Sequence, residues 1–104
     1  MEHTFINNEN WQGAKKRYEL HIDGNIAFIE YFLIKNEKAY LVHTEVPKEL
    51  SGMKIGFELV QKVLDDLADK NIQVVPICPF VGAFIKRHKE YANLVAPEFK
   101  YLIQ

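Results

Sequence analysis

The sequence predicts an α/β fold: an antiparallel meander, then a parallel strand–helix–strand unit, then a short C-terminal helix. Three observations carry this reading. The first half of the chain alternates apolar and polar residues with a period of two. A stripe of Phe57, Val60, Val63, Leu64 and Leu67 follows at helical spacing. A β-branched apolar run, Ile72 to Ile77, comes directly after it.

Taken in order, Thr4 to Ile6 reads as a short strand, and Asn7-Asn8-Glu9-Asn10 with Gln12-Gly13 as loop. Tyr18, Leu20 and Ile22 alternate with Glu19 and His21, the pattern of a half-buried strand. Asp23-Gly24 then signals a hairpin, because both residues tolerate positive φ. From Ile26 to Ile34 both faces carry apolar side chains, which predicts a mid-sheet strand with layers above and below. Asn36-Glu37 turns the chain into Lys38 to Val46, where Tyr40, Val42, Thr44 and Val46 alternate with Leu41, His43 and Glu45. A helix is expected from about Lys54 to Lys70, stopped by Asn71, and a strand over Ile72 to Ile77. A last helix is expected from Pro79 towards Glu90, with Phe80, Val81, Phe84 and Ile85 on its buried side. One more short strand is expected around Phe99 to Ile103.

Composition narrows the function. The 104 residues are one domain's worth, so 1–104 reads as a single minimal domain. Lys plus Arg number 13 against 14 Asp plus Glu, a balance that argues against a dedicated nucleic-acid binder. No apolar run approaches the ~20 residues of a membrane helix. The start, Met1-Glu2-His3-Thr4, lacks a basic-then-apolar signal pattern, and the expected location is cytoplasmic. The single cysteine, Cys78, excludes an intrachain disulfide and a multi-cysteine zinc site. His3 and His21 have no acidic partner at ligand spacing, so no metal is expected. Trp11 lies in a polar segment and has no assigned role.

The stretch Ser51-Gly52-Met53-Lys54-Ile55-Gly56 opens the long helix. First-turn amides without helical partners point outward there, and the helix dipole favours an anion. Gly52 and Gly56 would let backbone approach a diphosphate, and Lys54 adds a cation. From these residues alone, a plain loop whose glycines serve turn geometry is slightly the better reading.

The order meander, Val46-Pro47, glycine loop, helix and strand resembles the GNAT acyltransferase superfamily. The (Arg/Gln)-x-x-Gly-x-(Gly/Ala) pattern of that family falls on Ser51 to Gly56, with Ser51 at the Arg/Gln position and Lys54 at the middle glycine. The chain is more similar still to a minimal single-domain branch, through His43-Thr44-Glu45-Val46-Pro47, Pro76-Ile77-Cys78-Pro79-Phe80-Val81 and Arg87-His88-Lys89-Glu90-Tyr91. Lys89 stands where that branch usually has proline. The resemblance implies a GNAT-like mixed sheet and an acetyl-CoA-dependent acyltransferase with an amine acceptor: a protein lysine, a polyamine or a metabolite. It implies that Ser51, Gly52, Met53, Lys54, Ile55 and Gly56 hold the diphosphate and that main chain near Val46 pairs with pantetheine. Larger members have extra helices between their first two strands. This chain has no room for them, so its acceptor face is expected to be open.

Three groups are candidates for the chemistry. Cys78, before Pro79, falls at a helix N-cap, where first-turn amides lower a thiol pKa and favour a thiolate that accepts the acetyl group. It reads equally as a small buried hydrophobe. His43 and Glu45 share one strand face and suit a proton relay for direct transfer, or serve as a sheet histidine and a solvated strand end. Arg87 and His88 follow the last helix, where they suit the adenosine or its phosphates, or simply a helix C-terminus. The sequence therefore leaves three functions open: an N-acetyltransferase, a CoA-binding module without turnover, and a protein-interaction domain that keeps only the fold.

Overall fold

The computed structural model describes every residue except Met1 and Met53. The chain runs β1 (His3–Gln12), β2 (Lys15–Ile22), β3 (Asn25–Ile34), β4 (Lys38–Glu45), α1 (Ile55–Asp69), β5 (Gln73–Pro76) and α2 (Pro79–Arg87). Short 3₁₀ segments cover Lys48–Leu50, Lys89–Leu94 and Pro97–Ile103. The strands form one sheet in the order β1-β2-β3-β4-β5, antiparallel from β1 to β4 and parallel between β4 and β5. This is the mixed α/β arrangement that the periodicities predict.

The hairpins follow from their turn residues. Asp23 and Gly24 have φ of 51° and 82°, which gives a two-residue turn whose twist matches the strands it joins. Lys35 and Asn36, each at φ 55°, reverse the chain into β4, and the Glu37 amide donates to the Ile34 carbonyl at 2.9 Å.

Two segments depart from expectation. Residues 7–12, read as loop, belong to β1, which pairs with β2 along most of its length. Its asparagines find partners across the sheet: Asn7 accepts from the Tyr31 hydroxyl at 2.6 Å, and Asn8 donates to Glu19 at 3.1 Å. The tail expected as a strand at Phe99 to Ile103 is a 3₁₀ segment instead. Pro97 cannot donate to a ladder, and the outer edge of β5 is already met by a bridge from Val74 to Val95.

β4 departs in a subtler way. Its register with β3 jumps between Glu30↔His43 and Tyr31↔Leu41, so Val42 is an extra residue, a β-bulge. The strict alternation read from the sequence is thereby broken. Leu41 and Thr44 share one face, and His43 and Glu45 the other.

α1 covers the face that carries Tyr18, Leu20, Ile29, Tyr31 and Leu41, burying Leu59, Val60, Val63, Leu64 and Leu67 against it. A part-buried polar contact fixes the docking, since the Tyr18 hydroxyl donates to Asp66 at 2.6 Å. Burial, with Asp66 beside it, holds the Tyr18 phenol protonated far above its usual range. Burial likewise pushes Tyr31 up to about 12. α2 lies on the same side, since Phe57 of α1 packs on Phe80 and Phe84 at 6.1 and 6.0 Å.

Among the described residues α1 and α2 cover β3 on only one face, against the expected layers on both. On the other face the Arg17 guanidinium lies between the rings of Trp11 and Phe28, 3.9 and 4.0 Å from their centroids. Its Nε donates to Glu19 at 2.7 Å, and Glu19 also accepts from His21 at 2.7 Å. Burial alone would raise the Glu19 carboxyl, but hydrogen bonds from His21, Asn8 and Arg17, with the Arg17 charge, hold it below the usual carboxylate range. Phe99, from the last 3₁₀ segment, packs edge-on against Tyr40.

Candidate functional site

The site begins where β4 and β5 part. Their pairing runs from Lys38↔Gln73 to Leu41↔Pro76, and the Cys78 amide adds a bond to the Leu41 carbonyl at 2.8 Å. Pro79 then starts α2, because its fixed φ and missing N–H suit a first helical residue. The helix carries the chain away while β4 continues to Glu45. From Val42 to Glu45 the β5-facing edge of β4 therefore has no strand partner among the described residues.

Beside this opening lies the start of α1. Gly52 and Lys54 both adopt left-handed backbone, φ 79° and 58°, to bring the chain into the helix. Among the described residues no side chain caps it, so the first-turn amides of Ile55, Gly56 and Phe57 stay free of intrahelical partners. A cavity of about 330 Å³ opens there, lined by Val46, Leu50, Ser51, Gly52, Lys54, Ile55, Gly56, Phe57 and Phe80. All the residues expected to meet the diphosphate and pantetheine thus surround one space, except Met53, which lies outside the described residues. The Ser51 hydroxyl donates to the Lys48 carbonyl at 2.9 Å.

Gly56 has a further role. A Cβ at this position would stand 2.8 Å from Cζ of Phe80 and 3.5 Å from a methyl of Val46. The bare glycine is what admits the Phe80 ring to the cavity wall. Leu50, Phe57 and Phe80 also line this cavity, although sequence reasoning did not single them out for it. Phe57 and Phe80 were expected in the core, yet each is 39% exposed. Their apolar character gave a core signal, and only the meeting of α1 with α2 turns them towards a cavity.

Cys78 is the N-cap of α2, as expected, and only 6% exposed. Its Sγ lies 3.3 Å from Thr44 Oγ1, a neighbour that the sequence pattern left unassigned. His43 and Glu45 lie on the opposite face of β4, exposed, with Nε2 and Oε1 3.4 Å apart. The structure thus places Cys78 on the helix-covered side of β4 and the His43–Glu45 pair on the open side. Arg87 lines a cavity of about 230 Å³ with Phe57, Phe80, Ala83 and Phe84. His88 is held by packing: its ring stacks on Phe84 at 4.1 Å and its Nδ1 donates to the Phe84 carbonyl at 3.0 Å.

Among the described residues no group of three or more His, Cys, Asp or Glu side chains is placed to hold a metal ion. None of their helices is long and apolar enough to cross a membrane.

A mixed sheet whose last antiparallel strand is joined through a helix to a parallel fifth strand, and parts from it beside that helix's first turn, is a GNAT-like fold. The family model for GCN5-related N-acetyltransferases matches residues 17–94, and the chain belongs to that family. Membership supports acyl transfer as the general activity, and the family generally uses acetyl-CoA.

Proposed function

We propose that the protein is an acetyltransferase that moves an acetyl group from acetyl-CoA to an amine. The observation that carries this reading is the unpaired edge of β4 from Val42 to Glu45 beside the uncapped start of α1. An extended chain bearing amides, such as pantetheine, completes a strand edge by main-chain hydrogen bonds. A diphosphate satisfies the free amides of Ile55, Gly56 and Phe57, with Lys54 beside it.

Two routes remain for the transfer. In the direct one the amine nitrogen attacks the thioester carbonyl, the new C–N bond forms, the C–S bond breaks, and the CoA thiolate takes the proton the amine gives up. Glu45 with His43 is the pair suited to relay that proton, since the two touch at 3.4 Å and face solvent. In the covalent one the Cys78 sulfur attacks first, CoA leaves as the thiol, and the amine then attacks the Cys78 thioester and regenerates the free cysteine. The Thr44 hydroxyl and the first turn of α2 support a sulfur nucleophile at this position. Amides at the end of β4 are the donors suited to the thioester oxygen.

A CoA-holding module without turnover is the second reading, favoured by the low exposure of Cys78. Unfolding midpoints with and without CoA and acetyl-CoA, followed by an amine-acceptor screen with a free-thiol readout, separate the alternatives. A raised midpoint with CoA supports binding, since a ligand specific for the native state must stabilise it. No rise with either compound would leave only an interaction domain. Thiol release with an amine supports the enzyme. Intact mass after acetyl-CoA treatment tests the covalent route, and undiminished turnover by Cys78→Ala would exclude it.

A further inference from the structure

We propose that Arg17, on the open face of the sheet, binds a carboxylate of the acceptor, and that the acceptor is a peptide lysine with an aspartate or glutamate two positions away. The proposal rests on the acetyltransferase reading and names the substrate class of that same reaction. Arg17 is only 9% exposed, yet an arginine carries five N–H donors. Among the described residues only its Nε has a hydrogen-bond partner, Glu19 at 2.7 Å. No side-chain nitrogen among them is sealed from solvent without a partner, so the two terminal nitrogens of Arg17 reach the surface. The rings of Trp11 and Phe28 cover the two faces of the guanidinium. What stays open is its edge, a planar fork of donors held by stacking, which takes a carboxylate through two parallel bonds. Glu19 does not exhaust this cation, because its carboxylate is shared with His21 at 2.7 Å and Asn8 at 3.1 Å.

The fork lies near the pair suited to the amine. Arg17, Glu30 and His43 stand opposite one another in a row across β2, β3 and β4. Phe28 stacks on the guanidinium at 4.0 Å and meets the His43 ring at 6.2 Å. The guanidinium and the imidazole are therefore at most about 10 Å apart, two strand spacings. Charge changes sign along this path. Arg17 draws a carboxylate, while Glu30 and Glu45 draw an ammonium. A polyamine meets only the second half of the pattern. A phosphate carries more negative charge than a carboxylate and is repelled more by Glu19, Glu30 and Glu45.

The shape of the face selects a peptide over a small zwitterion. Arg17, Phe28 and His43 line none of the cavities around α1 and α2. A ligand here is touched from one side only and must spread along the sheet to be held. An extended peptide does this, and its residues two apart project from the same side about 7 Å from each other. A lysine and a glutamate so spaced reach the His43–Glu45 pair and the Arg17 fork together.

The chain's one tryptophan, Trp11, covers the proposed contact and reports on it without any turnover. The full chain is titrated, by tryptophan fluorescence, with end-blocked peptides centred on Lys-Ala-Glu or Lys-Ala-Gln and with 6-aminohexanoate. The glutamate peptide is expected to give a saturable change and to bind about tenfold tighter than the glutamine peptide, the scale of one charge-assisted contact. With acetyl-CoA present, the same factor is expected in KM and not in kcat. Raised salt should shrink it. Arg17→Lys keeps a cation beside Glu19 but loses the fork, and should bring the two peptides within about twofold of each other. The comparison within the wild type stands even if that variant fails to fold. Equal binding of the two peptides by the wild type, or a full preference kept by folded Arg17→Lys, would overturn this proposal and leave the acetyltransferase reading standing. Binding of 6-aminohexanoate as tight as that of the glutamate peptide would overturn the peptide as occupant. Preferred binding of the glutamate peptide without acetyl transfer to any amine would sink the acetyltransferase reading and leave the carboxylate contact standing.

Discussion

Replacing Gly56 by alanine tests whether the cavity at the start of α1 is a ligand site or merely a gap in the packing. The new methyl would stand 2.8 Å from Phe80 Cζ, closer than real Cβ contacts allow, and a tight 3.1 Å from its Cε2. The tip of a partly exposed ring yields more easily than backbone, so Phe80 swings aside and the fold survives. Alanine also gains up to about 1 kcal/mol over glycine within a helix. These effects oppose each other, and the net stability change should stay under about 1 kcal/mol. Binding has no such compensation, because the methyl and the displaced ring both enter the space lined by Gly56 and Phe80. CoA affinity is expected to fall about tenfold. At a ligand concentration 100 times the wild-type Kd, stabilisation should drop from about 2.7 to about 1.4 kcal/mol, read from urea unfolding with and without CoA. Adding Phe80→Ala removes the clash and should recover part of the loss, a coupling expected only between residues in contact. Undiminished CoA stabilisation of Gly56→Ala would refute the argument that this cavity receives the ligand.

Other expectations follow from the open face of the sheet. Trp11→Ala strips one ring from the Arg17 sandwich and should cost about 1 kcal/mol, lowering the thermal midpoint by roughly 5 °C. His43→Ala and Glu45→Gln should leave stability within about 0.5 kcal/mol, since both side chains are largely exposed, while slowing amine acetylation by the direct route. An unchanged rate in both variants would remove them from the mechanism. Stability should also fall in acid. The folded state holds Glu19 and Asp66 below the usual carboxylate range, so their contribution is present above that range and fades as pH drops below about 4. Equal urea midpoints at pH 5 and pH 3 would contradict this.

How much of this was legible depended on whether the cause was local. The β2–β3 turn was readable because Asp23 and Gly24 carry their own permission for positive φ. α1 was readable because Val60, Val63, Leu64 and Leu67 repeat at its period. Residues 7–12 were not, since what makes them a strand lies across the sheet: Tyr31 on Asn7, Glu19 on Asn8, Arg17 on Trp11. The tail misled for a similar reason, because its apolar residues suit a strand but no free ladder awaits them beside Val95. In the candidate site, the glycine loop announced itself, while the ring that fills the space over Gly56 comes from the start of a different helix. No periodicity within either helix encodes that meeting.

The bulge at Val42 has the largest consequence for the chemistry. Without it, alternation would set His43 on the same face as Leu41, under the helices and beside Cys78. The extra residue rotates the end of β4, so Thr44 meets the Cys78 sulfur at 3.3 Å and His43 and Glu45 turn to the open face. One relay therefore cannot run through all three groups. On the direct route a base on the open face serves an acceptor arriving from that side, where among the described residues neither α1 nor α2 stands in the way of a bulky partner. On the covalent route the acyl group sits on the covered side, and the acceptor must enter through the gap that β4 and β5 leave beyond Leu41. A protein-bound lysine fits the first path better and a small amine the second. On the proposed activity, the size of the amine accepted, compared between wild type and Cys78→Ala, is therefore itself a reading of which face of β4 carries the reaction.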